Sequence, residues 1–247
     1  MDNNRTKTAL VTGSSRGIGE ETASQLGKKG LNVIINYLNS ADKADRLKDK
    51  IISSGGNAAT VKADVTKADE VKQLIKEGRR IFGKIDILIN NVGDFLYKDL
   101  SDITIEDWDH MLSSNLNSAF YCTKEVLPDM RKQKWGRIIN IGVAGLNKLA
   151  AQPMITPYMI AKTGLLQLTR SLAVSEALFG ITVNMVSPGM IDCGNYSAAF
   201  MKRVVNEIPA GRLGSPSDIA NAVLFLVEER SSYITGADLE VCGGAYL

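Results

Sequence analysis

Residues 8–19 read "TALVTGSSRGIG", and the segment that follows, 17–29, places its apolar residues at helical spacing. A short β-branched apolar run therefore meets a glycine-rich turn that opens directly into a helix. The glycines Gly13, Gly17 and Gly19 follow the spacing G-x-x-x-G-x-G rather than the more familiar G-x-G-x-x-G. The physics is the same in both. Glycine permits a tight turn and close backbone approach, and the helix N-terminus presents unpaired N–H groups and a partial positive charge to a pyrophosphate. Gly13, Ser15, Arg16, Gly17, Ile18 and Gly19 are the candidate binding residues of this turn. Taken alone, such a turn can also do no more than join a strand to a helix.

Working outward, the same strand-like signature recurs at 32–37, 58–63, 85–91, 136–142, 181–189 and 237–244. Segments with helical spacing lie between, at 17–29, 40–53, 67–82, 104–132, 157–179 and 216–228. Strands alternating with helices of this length predict βαβ units and a parallel sheet covered on both faces. The expected fold is α/β: a Rossmann-type, doubly wound parallel sheet of about seven strands with helices on both faces. No linker, repeat or low-complexity tract interrupts residues 1–247, which predicts one domain.

Composition narrows the function classes. With 45% hydrophobic and 23% charged residues the chain reads as an ordinary globular protein. A net charge of +2 without a concentrated basic face argues against a nucleic-acid partner. There is no apolar run of signal-peptide or membrane-span length, so a cytoplasmic protein with no membrane partner is expected. Cys122, Cys193 and Cys242 are far apart in sequence, and His110 is the single histidine, so neither a disulfide nor a metal site is expected. His110 and Trp108 read as surface, interface or packing residues.

The end of the second strand bears on which dinucleotide would fit. An acidic residue there would hold a ribose 2′-OH and repel a 2′-phosphate. Here the strand ends in Asn36 and Tyr37, with no carboxylate before Asp42, and Arg16 stands in the glycine turn. Together these favour NADP(H) over NAD(H).

Tyr158 and Lys162 are four residues apart, hence on one helical face. Reducing a ketone needs a proton delivered to oxygen as hydride reaches carbon, and a phenol with an ordinary pKa near 10 is poorly matched to pH 7. A neighbouring ammonium would favour phenolate and lower that pKa, by about three units for roughly 4 kcal/mol of electrostatic work.

Seven motifs in register give this reading a family. These are TGSSRGIG at 12–19, ADV at 63–65, NNVG at 90–93, Asn115 in SSNLNSAF, YMIAK at 158–162, SPGMI at 187–191 and TGADLEVCGG at 235–244. Over its whole length the chain resembles the short-chain dehydrogenase/reductase family, most of all its 3-oxoacyl-(acyl carrier protein) reductase branch, which serves fatty acid biosynthesis. The resemblance implies that Tyr158 is the acid/base, that Lys162 tunes it and bonds the nicotinamide ribose, and that Asn115 holds a relay water. It further implies that Asp64 and Val65 hold the adenine, Asn91 and Gly93 line the adenosine side, and Pro188, Gly189 and Ile191 contact the nicotinamide. The substrate would be a small carbonyl or acyl thioester, beneath a mobile lid at 192–215, and the assembly a homotetramer built on helices 104–132 and 157–179. Two arginines of the branch that dock the carrier fall at Lys134 and Phe179.

The departures are informative. Val92 and Cys193 replace an alanine and a threonine. More seriously, Val143 stands where the family has a serine that bonds the substrate carbonyl, and the spacing from there to Tyr158 is two residues longer. Losing one such donor typically slows the chemical step about 10²- to 10³-fold. Thr156, Asn147, backbone N–H groups of the GVAG turn or a water are the candidate replacements. The alternative is a weakened or inactive NADP(H)-binding regulator.

Overall fold

The computed structural model describes residues 6–194 and 196–246. Seven strands, β1 (Thr8–Val11), β2 (Asn32–Tyr37), β3 (Asn57–Lys62), β4 (Ile87–Asn90), β5 (Gly136–Ile141), β6 (Ile181–Pro188) and β7 (Asp238–Val241), form one sheet in the order β3-β2-β1-β4-β5-β6-β7. Every neighbouring pair is parallel, as expected of strands joined by helical crossovers.

Side-chain alternation along the strands supplies two cores. Ala9 and Val11 of β1, Val33 and Ile35 of β2, and Ile87 and Ile89 of β4 face α1 (Gly17–Lys28), α2 (Ala41–Ser53) and α8 (Pro216–Val227). Leu10, Ile34 and Leu88, one residue out of step, pack with α3 (Ala68–Phe82) and α5 (Ser118–Gln133) on the opposite face. Strands buried on both faces read as continuous apolar runs, which is why they were visible in the sequence.

Two elements depart from the expected pattern. The single helix anticipated over 104–132 is α4 (Ile105–Leu112) and α5 joined by a π-turn at Ser113–Asn117, where Ser118 N–H bonds back to Ser113 O. The expected lid contains a helix, α7 (Ala198–Val205), whose apolar Val204 packs with Ile208 and Ala245; Asn195 of this segment lies outside the described residues. The remaining long helix is α6 (Thr156–Glu176). The order in which successive strands join the sheet reverses between β1 and β4, so the carboxyl ends of these two parallel strands open the crevice in which ligands of such sheets bind.

Candidate active site

The glycine turn is latched to this crevice. Thr12 N–H donates to Ile89 O, and the Thr12 hydroxyl accepts from Asn91 N–H at 2.9 Å. The Asn91 amide donates to the carbonyls of Thr12 and Gly13. Gly13 and Gly17 hold φ of +59° and +58°, a region that other residues enter at a cost. Gly19 is required for space: a Cβ there would lie 2.5 Å from the Asn91 amide nitrogen and 2.9 Å from Gly13 O. Arg16 caps α1 in extended conformation without a side-chain bond to the helix, which leaves the first N–H groups facing the crevice. Ser15 and Ile18 are half-buried in the same turn. From the lid, Cys193 reaches across to this helix end. Its sulfur lies 3.3 Å from the position of a Gly17 Cβ and accepts from Ile18 N–H.

Asn36 plays a different part from the one its position suggested. It is buried, donates to Val61 O and Ala63 O, and accepts from Gly13 N–H at 3.1 Å. With both ends of its amide engaged, it positions the turn from behind instead of meeting a ribose. Tyr37 is half-buried at the end of β2 against the α1 core. Asp64 and Val65 follow β3; burial would raise the Asp64 carboxyl, but bonds from Thr66 and the Lys67 ammonium outweigh this and hold it low.

Across the crevice, α6 delivers Tyr158 and Lys162 together. Lys162 is 3% exposed; its amine donates to Ile141 O at 2.8 Å and sits 5.7 Å from the centre of the Tyr158 ring. Phe95, from the loop after β4, closes on Tyr158 edge-to-face at 5.2 Å. Contrary to expectation, the lysine does not lower the phenol. Burial, followed by the neighbouring Tyr196 and Tyr246 phenols, pushes Tyr158 up to about 12, and burial pushes Lys162 down to about 8. Desolvation of both groups outweighs their mutual attraction because the amine is turned to a backbone carbonyl.

Asn115 sits inside the π-turn, 1% exposed. Its amide donates to Asp94 O at 2.9 Å and Met111 O at 3.1 Å, while its Oδ1 has no partner among the described residues. That oxygen and the Lys162 amine lie 2.5 and 3.2 Å from where a Gly93 Cβ would be, so Gly93 is what lets the relay residue and the lysine share one corner. His110, read as a surface or interface residue, is exposed, and its ring is bonded at 2.7 Å to Asp94, whose backbone carbonyl holds Asn115. Pro188 ends β6, Gly189 N–H donates to Val241 O, and Ile191 is buried beside the lid. Gly189 has no room for a side chain, since a Cβ would lie 2.8 Å from Cys242.

The candidate replacements for the serine fare poorly. Val143 packs with Leu116, Met159 and Leu168 around Leu146 and Met185. The Thr156 hydroxyl donates to Gln152 O and Pro153 O, and at two residues from Tyr158 it lies on a different helical face, lining an outer cavity of about 580 Å³ with Leu149 and Ile160. Asn147 is exposed in a short 3-10 turn. In the GVAG turn, Gly142, Ala144 and Gly145 N–H donate to Val186 O, Pro188 O and Glu240 Oε1.

A family model described as enoyl-(acyl carrier protein) reductase matches residues 13–246. The chain belongs to the short-chain dehydrogenase/reductase family. It is 39% identical over 244 residues to the 3-oxoacyl-(acyl carrier protein) reductase FabG of Staphylococcus epidermidis, covering 98% of this chain and 99% of the relative. With the 3-oxoacyl-(acyl carrier protein) reductase of Synechocystis it shares 41% identity over 238 residues, 96% of this chain and 95% of the other. A solved structure of a Serratia marcescens short-chain dehydrogenase/reductase, a double mutant, matches with a TM-score of 0.92 at 31% identity, covering 98% of this chain and 99% of that one. This short-chain dehydrogenase/reductase is an oxidoreductase that works with a nicotinamide cofactor. The site fits such a group: the helix end, the glycine cradle without room for side chains, and the unpartnered Asn115 oxygen beside a buried amine all await a polar ligand. Among the described residues there is no cluster of metal-ligating side chains, and no helix is long and apolar enough to cross a membrane.

Proposed function

We propose that this enzyme reduces the ketone of 3-oxoacyl thioesters with NADPH. The observation that carries this reading is the pairing of half-buried Tyr158 with buried Lys162 beside the unpartnered Asn115 oxygen, across the crevice from the glycine turn. The bound nicotinamide supplies the hydride. The N–H groups of the α1 end and of the glycine turn bind the pyrophosphate, Asp64 and Val65 take the adenine, and Pro188, Gly189 and Ile191 hold the nicotinamide end. Asn91 and Gly93 shape the cleft between them. Tyr158, kept protonated by its dry surroundings, gives its proton to the carbonyl oxygen. Lys162 fixes the ribose and supplies positive charge to the phenolate left behind, and Asn115 Oδ1 holds the water that restores the proton. Preference for the 2′-phosphate rests on Arg16 at the mouth of the turn and on the lack of a carboxylate at the end of β2.

Two relatives carry the name 3-oxoacyl-(acyl carrier protein) reductase, which supports a thioester substrate. Docking of a carrier is not favoured at Phe179, where the Arg131 guanidinium lies over the ring at 5.1 Å but is neutralised by the Glu176 carboxylate through two bonds of 2.7 Å. A homotetramer is the proposed assembly, because α6 and its extension expose Ile160, Val174 and Leu178.

The test is NADPH oxidation with 3-oxoacyl thioesters on coenzyme A and on acyl carrier protein, with enoyl thioesters and simple ketones alongside, repeated with NADH. Turnover of the 3-oxo compounds with NADPH is expected. Tight NADPH binding without turnover of any of them would instead support a regulator.

A further inference from the structure

The side-chain donor that the family supplies at Val143 is missing, the Thr156 hydroxyl is engaged elsewhere, and the N–H groups of Gly142, Ala144 and Gly145 in the GVAG turn are occupied. A different side chain lies against that turn. The Tyr246 side chain lies against Gly145, its Cβ, Cγ and Cδ1 at 3.3, 3.5 and 3.7 Å from the position a Gly145 Cβ would take. Gly145 is two residues from Val143, and a side chain there would crowd the tyrosine.

Tyr246 is held in place at a cost. Its φ of +71° is left-handed, a conformation unfavourable for a bulky residue, and such strain persists only where the surroundings impose it. They do so here. Ala210 N–H of the lid donates to Gly243 O, Ala245 N–H donates to Cys242 O, and Ala245 is buried among Val204 and Ile208. Yet the ring so fixed remains 47% exposed, so burial of apolar area does not account for the strain. Its phenol is also close enough to raise the proton affinity of Tyr158, and burial keeps its own hydroxyl protonated at neutral pH. Tyr196, the other phenol felt by Tyr158, is stacked on Phe200 of the lid at 4.8 Å.

We propose that the Tyr246 hydroxyl donates to the substrate carbonyl oxygen in place of the serine that Val143 has replaced. Tyr158 transfers the proton and Tyr246 stabilises the negative charge developing on the same oxygen. The inference rests on the reading of Tyr158 as proton donor.

The experiment begins with a carbonyl substrate that the wild type reduces; if there is none, it is the proposed function that fails. Tyr246→Phe removes one oxygen and keeps the ring. Its kcat is expected to fall about 10²-fold, with the NADPH dissociation constant and melting temperature unchanged. Adding Val143→Ser to Tyr246→Phe is expected to recover most of the loss, a rescue that a merely structural role for Tyr246 would not allow. A kcat for Tyr246→Phe within about threefold of wild type would overturn the proposal. So would a large loss in Tyr196→Phe without one in Tyr246→Phe.

Discussion

Gly93→Ala tests the corner where lysine and relay meet. Gly93 does not need a left-handed φ, so the perturbation is one of space alone. The new Cβ would lie 2.5 Å from Asn115 Oδ1 and 3.2 Å from the Lys162 amine; the first falls 0.9 Å short of an ordinary 3.4 Å contact. Asn115 cannot retreat freely, because its amide is tied to Asp94 O and Met111 O within the π-turn. Overpacking of this kind costs about 1–3 kcal/mol, which for a chain of this length lowers Tm by roughly 3–10 °C. A displacement near 1 Å in a catalytic corner slows kcat about 10²-fold. Thermal melts and steady-state reduction, with the NADPH dissociation constant measured separately, read both effects. The double variant Gly93→Ala/Asn115→Ala removes the clash but should not regain rate, because the relay oxygen is gone too. A single variant that melts within about 1 °C of wild type and keeps kcat within about twofold would refute the reasoning.

Further outcomes follow from other parts of the molecule. With Lys162 titrating at about 8 and the Tyr158 phenol at about 12, kcat/KM for reduction should hold below pH 8 and fall as pH rises through it, because the ammonium is lost while the phenol keeps its proton; a flat profile from pH 7 to 10 would contradict this. Asp218→Asn should cost about 1–2 kcal/mol, seen as a lower Tm, because the carboxylate caps α8 and takes a two-pronged ion pair from Arg212 at 2.8 and 3.0 Å. The Arg212 guanidinium and Ser215 N–H hold that carboxyl below its ordinary range, so its contribution is present above about pH 4 and is lost as pH falls, and acid unfolding should begin at a lower pH in wild type than in a variant lacking Arg212. Arg16→Glu should weaken NADPH binding about 10- to 10²-fold and NADH binding far less, as titrations of nucleotide fluorescence would show.

Among the described residues, all seven strands and five of the eight α-helices were legible in the sequence, with α4 and α5 read as one, because a strand buried on both faces is a run of β-branched residues and a crossover helix repeats its apolar positions every three to four residues. The break between α4 and α5 was not, since a π-turn inserts a residue without altering composition, and α7 was hidden in a lid whose Met, Phe and Val residues suited substrate contact as well as packing. The candidate site residues were legible as residue types at fixed spacings, but their hydrogen-bonding and protonation states were not. Asn36 looked like a selector of nucleotide and is a brace behind the turn. The Tyr158–Lys162 pair looked like a phenol acidified by an ammonium and is a desolvated phenol with a desolvated amine.

Sequence by itself determined the order of strands and helices, the glycine turn, the family and the presence of Tyr158, Lys162 and Asn115, all of which depend on local spacing. Tertiary structure decided which hydrogen-bonding atoms are already engaged, how far burial outweighs charge at the catalytic pair, and that Tyr246 is folded back against Gly145, 101 positions earlier in the chain. Those outcomes depend on distances between segments far apart in sequence, and on the water that packing excludes from between them.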